Sequence, residues 1–391
     1  MKQVNLLTDS PRRLFFHYLG PTIGSSMVTS IYILADTIMV GQGVGDAGLA
    51  ALTIFMPIVA SFFALGLLLG VGGGVLMSVA KGSGNESLAH KYFSTAMISA
   101  AVVSVCFAVF GAIFFDPMMY ALGADITNIE LVRGYGLCYT VSAPLFIFSS
   151  SLQSFIRNDK SPRHAMIAVL TGSGLNILLD YLFIFVFKMG MFGASFATSI
   201  GTSITVCILV IHFFTKKNTM RFSFRFFSIK ALWEIAKCGF SSFLIECANA
   251  VLVFVFNHTL LKYIGSVGVT VYSIMSNVAV VCMSLFNGVT LAAQPIIATN
   301  HGADSHKRVL QVRHIGTITS SVIAVIIFCV GFFFPDLLIY SYVNSPTPEI
   351  LELARYALRI YFFAYLFMNF NIFFSGYFQS TLRPVAAITI Q

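Results

Sequence analysis

Long stretches without any charged residue limit what this chain can fold into. Residues 48–80 and 92–115 contain no Asp, Glu, Lys or Arg. A helix that crosses a bilayer needs about 20 such residues, because the hydrocarbon core does not solvate charge. Over the whole chain 57% of residues are hydrophobic and only 10% are charged, against about 25% in soluble domains. The sequence therefore predicts an all-α, polytopic membrane protein.

Ten complete hydrophobic spans follow one another along the chain, and an eleventh begins near Pro384. The predicted spans are 13–39, 48–80, 92–115, 131–156, 163–187, 191–215, 234–262, 267–299, 312–335 and 353–379. Of the 23 Lys and Arg residues, 17 fall on the side of the membrane that holds the N-terminus. Cytoplasmic loops carry such an excess of basic residues. We predict a multi-pass protein of the cell (inner) membrane with a cytoplasmic N-terminus. We attribute the net charge of +8 to these loops rather than to nucleic-acid binding.

The two halves of the chain resemble each other. Residues 70–86 align with 288–304 at an offset of 218, and residues 135–148 align with 356–369 at an offset of 221. Six spans separate the matching segments, so the repeat is parallel rather than inverted. The sequence therefore predicts two pseudo-symmetric six-helix bundles, an architecture that is typical of transporters.

The longest basic loop divides these bundles. We predict an N-terminal lobe at 1–215, a cytoplasmic linker at 216–230 and a C-terminal lobe at 231–391. The second lobe then holds about four helices and a stub, so we expect the second bundle to be incomplete and the chain truncated.

Three acidic residues, Asp36, Asp180 and Glu246, lie deep within predicted spans. A charge at the bilayer centre costs about 2.5–3.5 kcal/mol on insertion scales, so such residues are functional candidates by default. Asn176 lies one helical turn before Asp180 and shares its face, and Thr198 adds a hydroxyl on the next span. We expect one polar cluster of Asp36, Asn176, Asp180 and Thr198, with Glu246 in a substrate cavity of the second lobe. The alternatives are acids that reach water at helix ends and a Glu246 without a fixed role.

Pro21 lies inside the first span, fifteen residues before Asp36. Proline removes a backbone hydrogen bond and can kink a helix. We predict that the first span bends at Pro21 when the state of Asp36 changes. A static kink is the alternative.

Other sequence patterns support no chemistry. The glycine pattern GVGDAG at 43–48 follows an apolar helix rather than a strand, which argues against nucleotide binding. The seven cysteines form no CxxC pair, and the histidines lack metal-ligand spacing. No serine or cysteine has a recognisable base partner. We therefore predict no enzyme activity, no metal and no cofactor.

Three segments resemble the multidrug and toxic compound extrusion (MATE) transporters. They are LADTIMVGQGVGDAGLAALTIFMPI at 34–58, NILLDYLFIFVFKMGMFGASFAT at 176–198 and QPIIATNHGAD at 294–304. The resemblance extends over essentially the whole chain. It implies two six-helix lobes, alternating access, and export of organic cations and drugs driven by inward H+ or Na+. It also implies a protein in contact with membrane lipid, which we expect to be a monomer.

The resemblance also implies roles for particular residues. In this family an acid on the first helix, an Asn…Asp pair on the fifth and a threonine on the sixth form the cation site. Asp36, Asn176, Asp180 and Thr198 match that pattern, and Tyr135 matches a tyrosine beside it. Asp36 is then a carboxylate that exchanges its proton or sodium ion for substrate.

Two other functions remain open from the sequence. A lipid-linked saccharide flippase of related two-lobe build needs several basic residues in its cavity to bind phosphate, whereas the cavity candidates here are acidic. A membrane receptor or channel does not require a two-fold repeat with acids in one lobe.

Overall fold

The structure is a computed structural model that describes residues 4–342 and 347–390. All regular secondary structure in these residues is helical. The helices are α1 Pro11–Gly43, α2 Asp46–Gly82, α3 Glu86–Ile113, α4 Phe115–Ala121, α5 Ile129–Val141, α6 Ala143–Asn158, α7 Pro162–Asp180, α8 Gly190–Ile211, α9 Ile229–Tyr263, α10 Ser266–Gly302, α11 His306–Phe333, α12 Pro335–Tyr342, α13 Pro348–Ser380 and α14 Pro384–Thr389.

The helices confirm a polytopic membrane protein. Within the described residues, eight helices are long and apolar enough to cross a membrane, and nine if α5 and α6 count as one span. The predicted span 234–262 falls on α9. The predicted span 131–156 is the α5–α6 pair, which is bent by 52°. Pro144 lies in the first turn of α6, where its ring and missing N–H prevent one continuous helix.

The two lobes repeat the same sequence of helices. Both α2 and α10 have 37 residues, and both α3 and α11 have 28. Gly45 precedes α2 with φ 86° and Gly265 precedes α10 with φ 77°, a left-handed conformation that favours glycine. These equivalent positions are 220 residues apart, so the sequence alignment at an offset of 218 was displaced by two residues. The sequence alignment paired glycines of 70–86 with glycines of 288–304, although these glycines do not occupy equivalent positions in α2 and α10.

The lobes meet along α2 and α9 and along α1 and α10. The ends of α2 and α10 that lead into basic loops also touch, at the symmetry-equivalent glycines Gly82 and Gly302. A side chain at Gly302 would overlap the backbone of Val79, and one at Gly82 would overlap the carbonyl of Thr299. Only glycine permits this approach. The lobes are therefore closed against each other on the side of the basic loops.

The segment before α1 contacts α11 in lobe two, and the segment before α9 contacts α3 in lobe one. Before α1, the carbonyl oxygens of Leu6 and Asp9 accept hydrogen bonds from Arg308 Nη2 of α11, at 3.1 and 2.6 Å. Before α9, the backbone N–H of Ser223 donates to Ser94 Oγ of α3 at 3.1 Å. These contacts add to the closure on the basic-loop side.

Candidate functional site

Two buried carboxyl groups lie together inside lobe one. Asp36 of α1 is 9% exposed and Asp180, the last residue of α7, is fully buried. Asp36 Oδ1 and both carboxylate oxygens of Asp180 accept no hydrogen bond from the described residues. The two groups interact electrostatically. A carboxylate buried without donors is costly unless it holds a proton or a cation. The pair is therefore suited to taking up positive charge.

Asn176 and Thr198 extend this cluster towards α8. Asn176 Nδ2 donates to Thr198 Oγ1 at 3.3 Å, and Thr198 donates onwards to the carbonyl oxygen of Ala194 at 3.0 Å. Asn176 Oδ1 has no donor among the described residues. Helices α7 and α8 approach closely here, because a Cβ on Gly201 would lie 2.8 Å from the Cβ of Asn176. One more unpaired oxygen therefore lies one helical turn from Asp180.

A π-helical segment, Tyr181–Val186, follows Asp180 directly. The N–H of Phe187 donates to the carbonyl oxygen of Leu182, five residues earlier, at 2.9 Å. Such single-turn π segments insert an extra residue into a helix and often occur at functional sites. Asp180 therefore lies at the junction between the two helical geometries.

Two tyrosines interact with the acidic pair. Tyr135 is buried on α5 and is close enough to Asp36 and Asp180 to interact electrostatically with both. Tyr32, one turn before Asp36 on α1, also interacts with both acids. The sequence interpretation missed Tyr32, although its spacing of four residues from Asp36 was a usable signal.

A cavity of about 190 Å³ adjoins the cluster and reaches Asn176, Thr198 and Tyr32. It lies between α1, α2, α6, α7 and α8, and its lining includes hydroxyl and amide side chains but no charged one. The polar members besides those three include Thr29, Ser149, Ser150, Gln153, Ser173, Thr202 and Thr205. Tyr32 and Asn176 of this lining lie one helical turn before Asp36 and Asp180, respectively.

Sequence comparison decides the family. The family model described as MatE matches residues 21–182 and 238–390, most of the chain. This chain belongs to the MATE family.

Curated relatives of this MATE chain are multidrug exporters. The multidrug export protein MepA of Staphylococcus haemolyticus is 26% identical over 374 residues, which cover 94% of this chain and 81% of the relative. MepA of Staphylococcus aureus (strain MSSA476) is 24% identical over 375 residues, with the same coverage. The family predicted from the sequence is thus confirmed, and with it membership of a group of multidrug efflux transporters.

Solved MATE structures share this fold. An outward-facing conformation of a multidrug resistance MATE transporter of the MOP superfamily matches with a TM-score of 0.93 at 22% identity, covering 100% of this chain and 87% of the other. A MOP superfamily transporter from Pyrococcus furiosus, described as having a binding pocket of reverse polarity that suggests a different function, matches with a TM-score of 0.91 at 23% identity and the same coverage. The predicted two-lobe architecture is confirmed.

Two predicted residues of this MATE chain lie apart from the cluster. Glu246 is partly buried on α9 in the other lobe. Among the described residues, no hydrogen bond or ion pair joins it to Asp36 or Asp180. Pro21 lies within α1, which continues as one helix from Pro11 to Gly43. The roles predicted for Glu246 and Pro21 stay predictions.

A third buried acid of this MATE chain, Asp159, was not predicted. It lies between α6 and α7 with its side chain fully buried. It accepts hydrogen bonds from Lys81 Nζ (2.6 Å), His212 Nε2 (2.9 Å), the backbone N–H of Thr219 (3.0 Å) and the hydroxyl of Thr219. Burial raises the pKa of Asp159, but the hydrogen bond from His212, the charge of Lys81 and the bonds from Thr219 outweigh burial and hold the pKa below its usual value. This network attaches the start of segment 216–230 to lobe one.

Proposed function

We propose that this chain exports organic cations in exchange for H+ or Na+, with Asp36 and Asp180 as the groups that carry the coupling ion. One observation supports this most directly. Four buried oxygens lie in one cluster without a hydrogen-bond donor among the described residues: Asp36 Oδ1, Asn176 Oδ1 and both carboxylate oxygens of Asp180. A proton on one carboxyl group, or a sodium ion among these oxygens, would compensate for the burial of charge.

Exchange follows from competition for the same two charges. A proton or sodium ion and an organic cation each satisfy the acidic pair, so binding of one favours release of the other. Asn176 and Thr198 link the pair to the polar cavity, where a cation would approach. Closure of the lobes on the basic-loop side, with those loops in the cytoplasm, corresponds to a conformation open towards the outside. Alternating access then requires that closure to break.

The negative charge of the site favours cations over anions. Asp36 and Asp180 are the charged groups of the cluster, and the adjoining cavity has no charged side chain in its lining. A lipid-linked saccharide carries phosphate and would need basic groups there. The MOP superfamily transporter whose reverse pocket polarity suggests a different function illustrates that function depends on the charge of the pocket. We therefore place the flippase function second.

Dye efflux from proteoliposomes tests the proposal. Protein is reconstituted with a cationic dye, and an H+ or Na+ gradient is imposed. We expect Asp36→Asn and Asp180→Asn each to abolish gradient-driven efflux, because asparagine keeps the shape but cannot ionise. The double variant should be little worse than either single one, since members of one network are not additive. Asp116→Asn is the matched control, because Asp116 is partly exposed and pairs with Arg133.

Efflux at the wild-type rate in Asp36→Asn, measured per inserted protein, would refute this coupling site. Equal loss in Asp116→Asn would point instead to a general effect of removing a carboxylate. For Glu246 we propose a contact with cationic substrate. Glu246→Gln should then weaken efflux of cations more than that of neutral compounds, and equal loss for both would assign it a structural role.

A further inference from the structure

Part of the loop that joins the two lobes is fixed against the side of α3. Ser94 Oγ donates a hydrogen bond to the carbonyl oxygen of Arg221 at 3.3 Å, and Thr95 Oγ1 donates to the carbonyl oxygen of Phe226 at 3.3 Å. Both of these α3 residues are fully buried. The stretch 221–227, here called the edge segment, is therefore held near both of its ends.

These two contacts lie at the edge of the membrane. Residues 92–113 of α3 carry no charge and are about 33 Å long at 1.5 Å per residue, which matches a hydrocarbon core of about 30 Å. Ser94 and Thr95 lie in the first turn of this stretch, at its basic-loop end. The edge segment is thus at the depth where lipid headgroups meet acyl chains.

The side of α3 that carries Thr95 faces lipid. Val102 and Val109 follow Thr95 at intervals of seven residues and so share its side of the helix. They are 57% and 54% exposed, and exposed valines within a membrane span contact acyl chains. The edge segment contacts Thr95 at the end of this apolar side. It therefore lies on the outer surface of the protein, next to lipid.

The edge segment combines exposed aromatic rings with exposed positive charge. Phe222, Phe224 and Phe227 are 49%, 76% and 43% exposed. Arg221 and Arg225 are also exposed, and among the described residues no ion pair involves either of them. Phenylalanine next to basic residues is typical of segments that bind at the boundary between headgroups and acyl chains.

The charges around the edge segment favour an anionic partner. Residues 213–230 contain five Lys and Arg and no Asp or Glu. His90 of α3 interacts electrostatically with Arg221 and with two acids, Glu86 and Asp159. Asp159 belongs to the buried network described above, which leaves Glu86 as the acid at this edge of α3. The positive charge is therefore in excess, and guanidinium groups bind phosphate oxygens with two hydrogen bonds at once.

We propose that the edge segment binds the phosphate groups of anionic phospholipids, with its phenylalanine rings at the boundary between headgroups and acyl chains. A net anionic headgroup is favoured over a zwitterionic one, because basic residues near the membrane surface attract anionic lipid. The hydrogen bonds from Ser94 and Thr95 hold the segment in place before lipid binds, so little conformational freedom is lost on binding. This contact fixes the loop between the lobes to the membrane beside lobe one.

Fluorescence quenching by brominated lipid tests both the depth and the charge preference. Phe222→Trp is made in a Trp233→Phe background, because the chain has a single tryptophan. The full chain is reconstituted in vesicles of equal parts phosphatidylglycerol and phosphatidylcholine, and one of the two lipids at a time carries bromine near the top of its acyl chains. We expect quenching to be about twofold stronger when phosphatidylglycerol is brominated. Replacing Arg221 and Arg225 together with glutamine should make the two lipids quench equally.

Arg12→Gln combined with Arg13→Gln is the matched control, because it removes two exposed charges of α1 from the same side of the membrane. This variant should keep the preference for phosphatidylglycerol, and its loss here too would assign the preference to general surface charge and overturn the proposal. Equal quenching by both lipids before any charge is removed, or quenching by neither, would also overturn it. Gel-filtration profiles and melting temperatures confirm that the variants are folded. The measurement does not depend on transport, so it leaves the proposed antiport function untouched.

Discussion

Replacing Asp159 with asparagine should loosen the start of segment 216–230, at Thr219, from lobe one and destabilise the fold. The carboxylate accepts from four donors, on Lys81, His212 and Thr219. An asparagine side chain has only one acceptor oxygen, and its NH2 group would lie against N–H and O–H groups from which it cannot accept a hydrogen bond. Removing one partner of a buried ion pair costs about 3–5 kcal/mol. Lys81 keeps 12% exposure, so water recovers part of its solvation and we expect about 3 kcal/mol.

Differential scanning fluorimetry of purified protein measures this loss. For a chain of this length, about 3 kcal/mol corresponds to a fall in Tm of about 4 °C. Asp336→Asn is the matched control, because Asp336 also forms an ion pair, with Arg355, but its side chain is 46% exposed. Exposed pairs contribute at most about 1 kcal/mol. Lys81→Met should cost less in the Asp159→Asn background than in wild type, since the two residues share one interaction.

The stability that Asp159 contributes should depend on pH. The folded-state pKa of Asp159 lies below its usual value, so the ionised form is favoured by folding. Its contribution to stability is therefore present above the unfolded-state pKa of about 4 and is lost as pH falls through the lower folded-state value. The Tm difference between wild type and Asp159→Asn should persist from about pH 5 to 8 and shrink below about pH 4. An unchanged Tm at neutral pH, or strict additivity with Lys81→Met, would refute the reasoning.

Three further predictions concern closure and orientation. Gly302→Ala should open the basic-loop side, which is measured as faster thiol labelling of a cysteine placed there. Gly20→Ala is the control, because its Cβ meets nothing within 4 Å. Equal labelling of the two variants would contradict the tight contact at Gly302. Arg308→Gln should release the segment before α1 at a cost of about 1.5–3 kcal/mol, seen as faster proteolysis of the N-terminus, and unchanged proteolysis would argue against it. In a cysteine-free background a membrane-impermeant reagent added outside cells should label Lys188→Cys but miss Phe224→Cys, and the reverse would invert the proposed topology.

The acidic cluster was predictable because a single physical rule selects it. Charges are expensive in hydrocarbon, so Asp36 and Asp180 stood out in the sequence. Helical spacing placed Asn176 beside Asp180. The sequence could not show that the carboxylate oxygens lack donors or that Tyr32 and Tyr135 lie beside them, because those facts depend on how α1, α5 and α7 pack.

Asp159 shows the opposite case. In the sequence it precedes Lys160 in a short loop, where an acid is normally solvated. Its burial depends on Lys81, His212 and Thr219, which lie far apart in the chain. Likewise Met220, in the same basic loop, is buried at 3% exposure, whereas Phe224 is 76% exposed and therefore serves as the labelling site.

The sequence by itself determined the membrane class, the succession of spans and the parallel repeat. Hydrophobicity, charge bias and periodicity are properties of residues close in the chain, and the bilayer selects for them directly. Only the tertiary structure decided the register of the repeat and the close contacts of Gly82 with Thr299 and of Gly302 with Val79. These features depend on distances between helices that local sequence does not encode, because close packing is set by both partners at once.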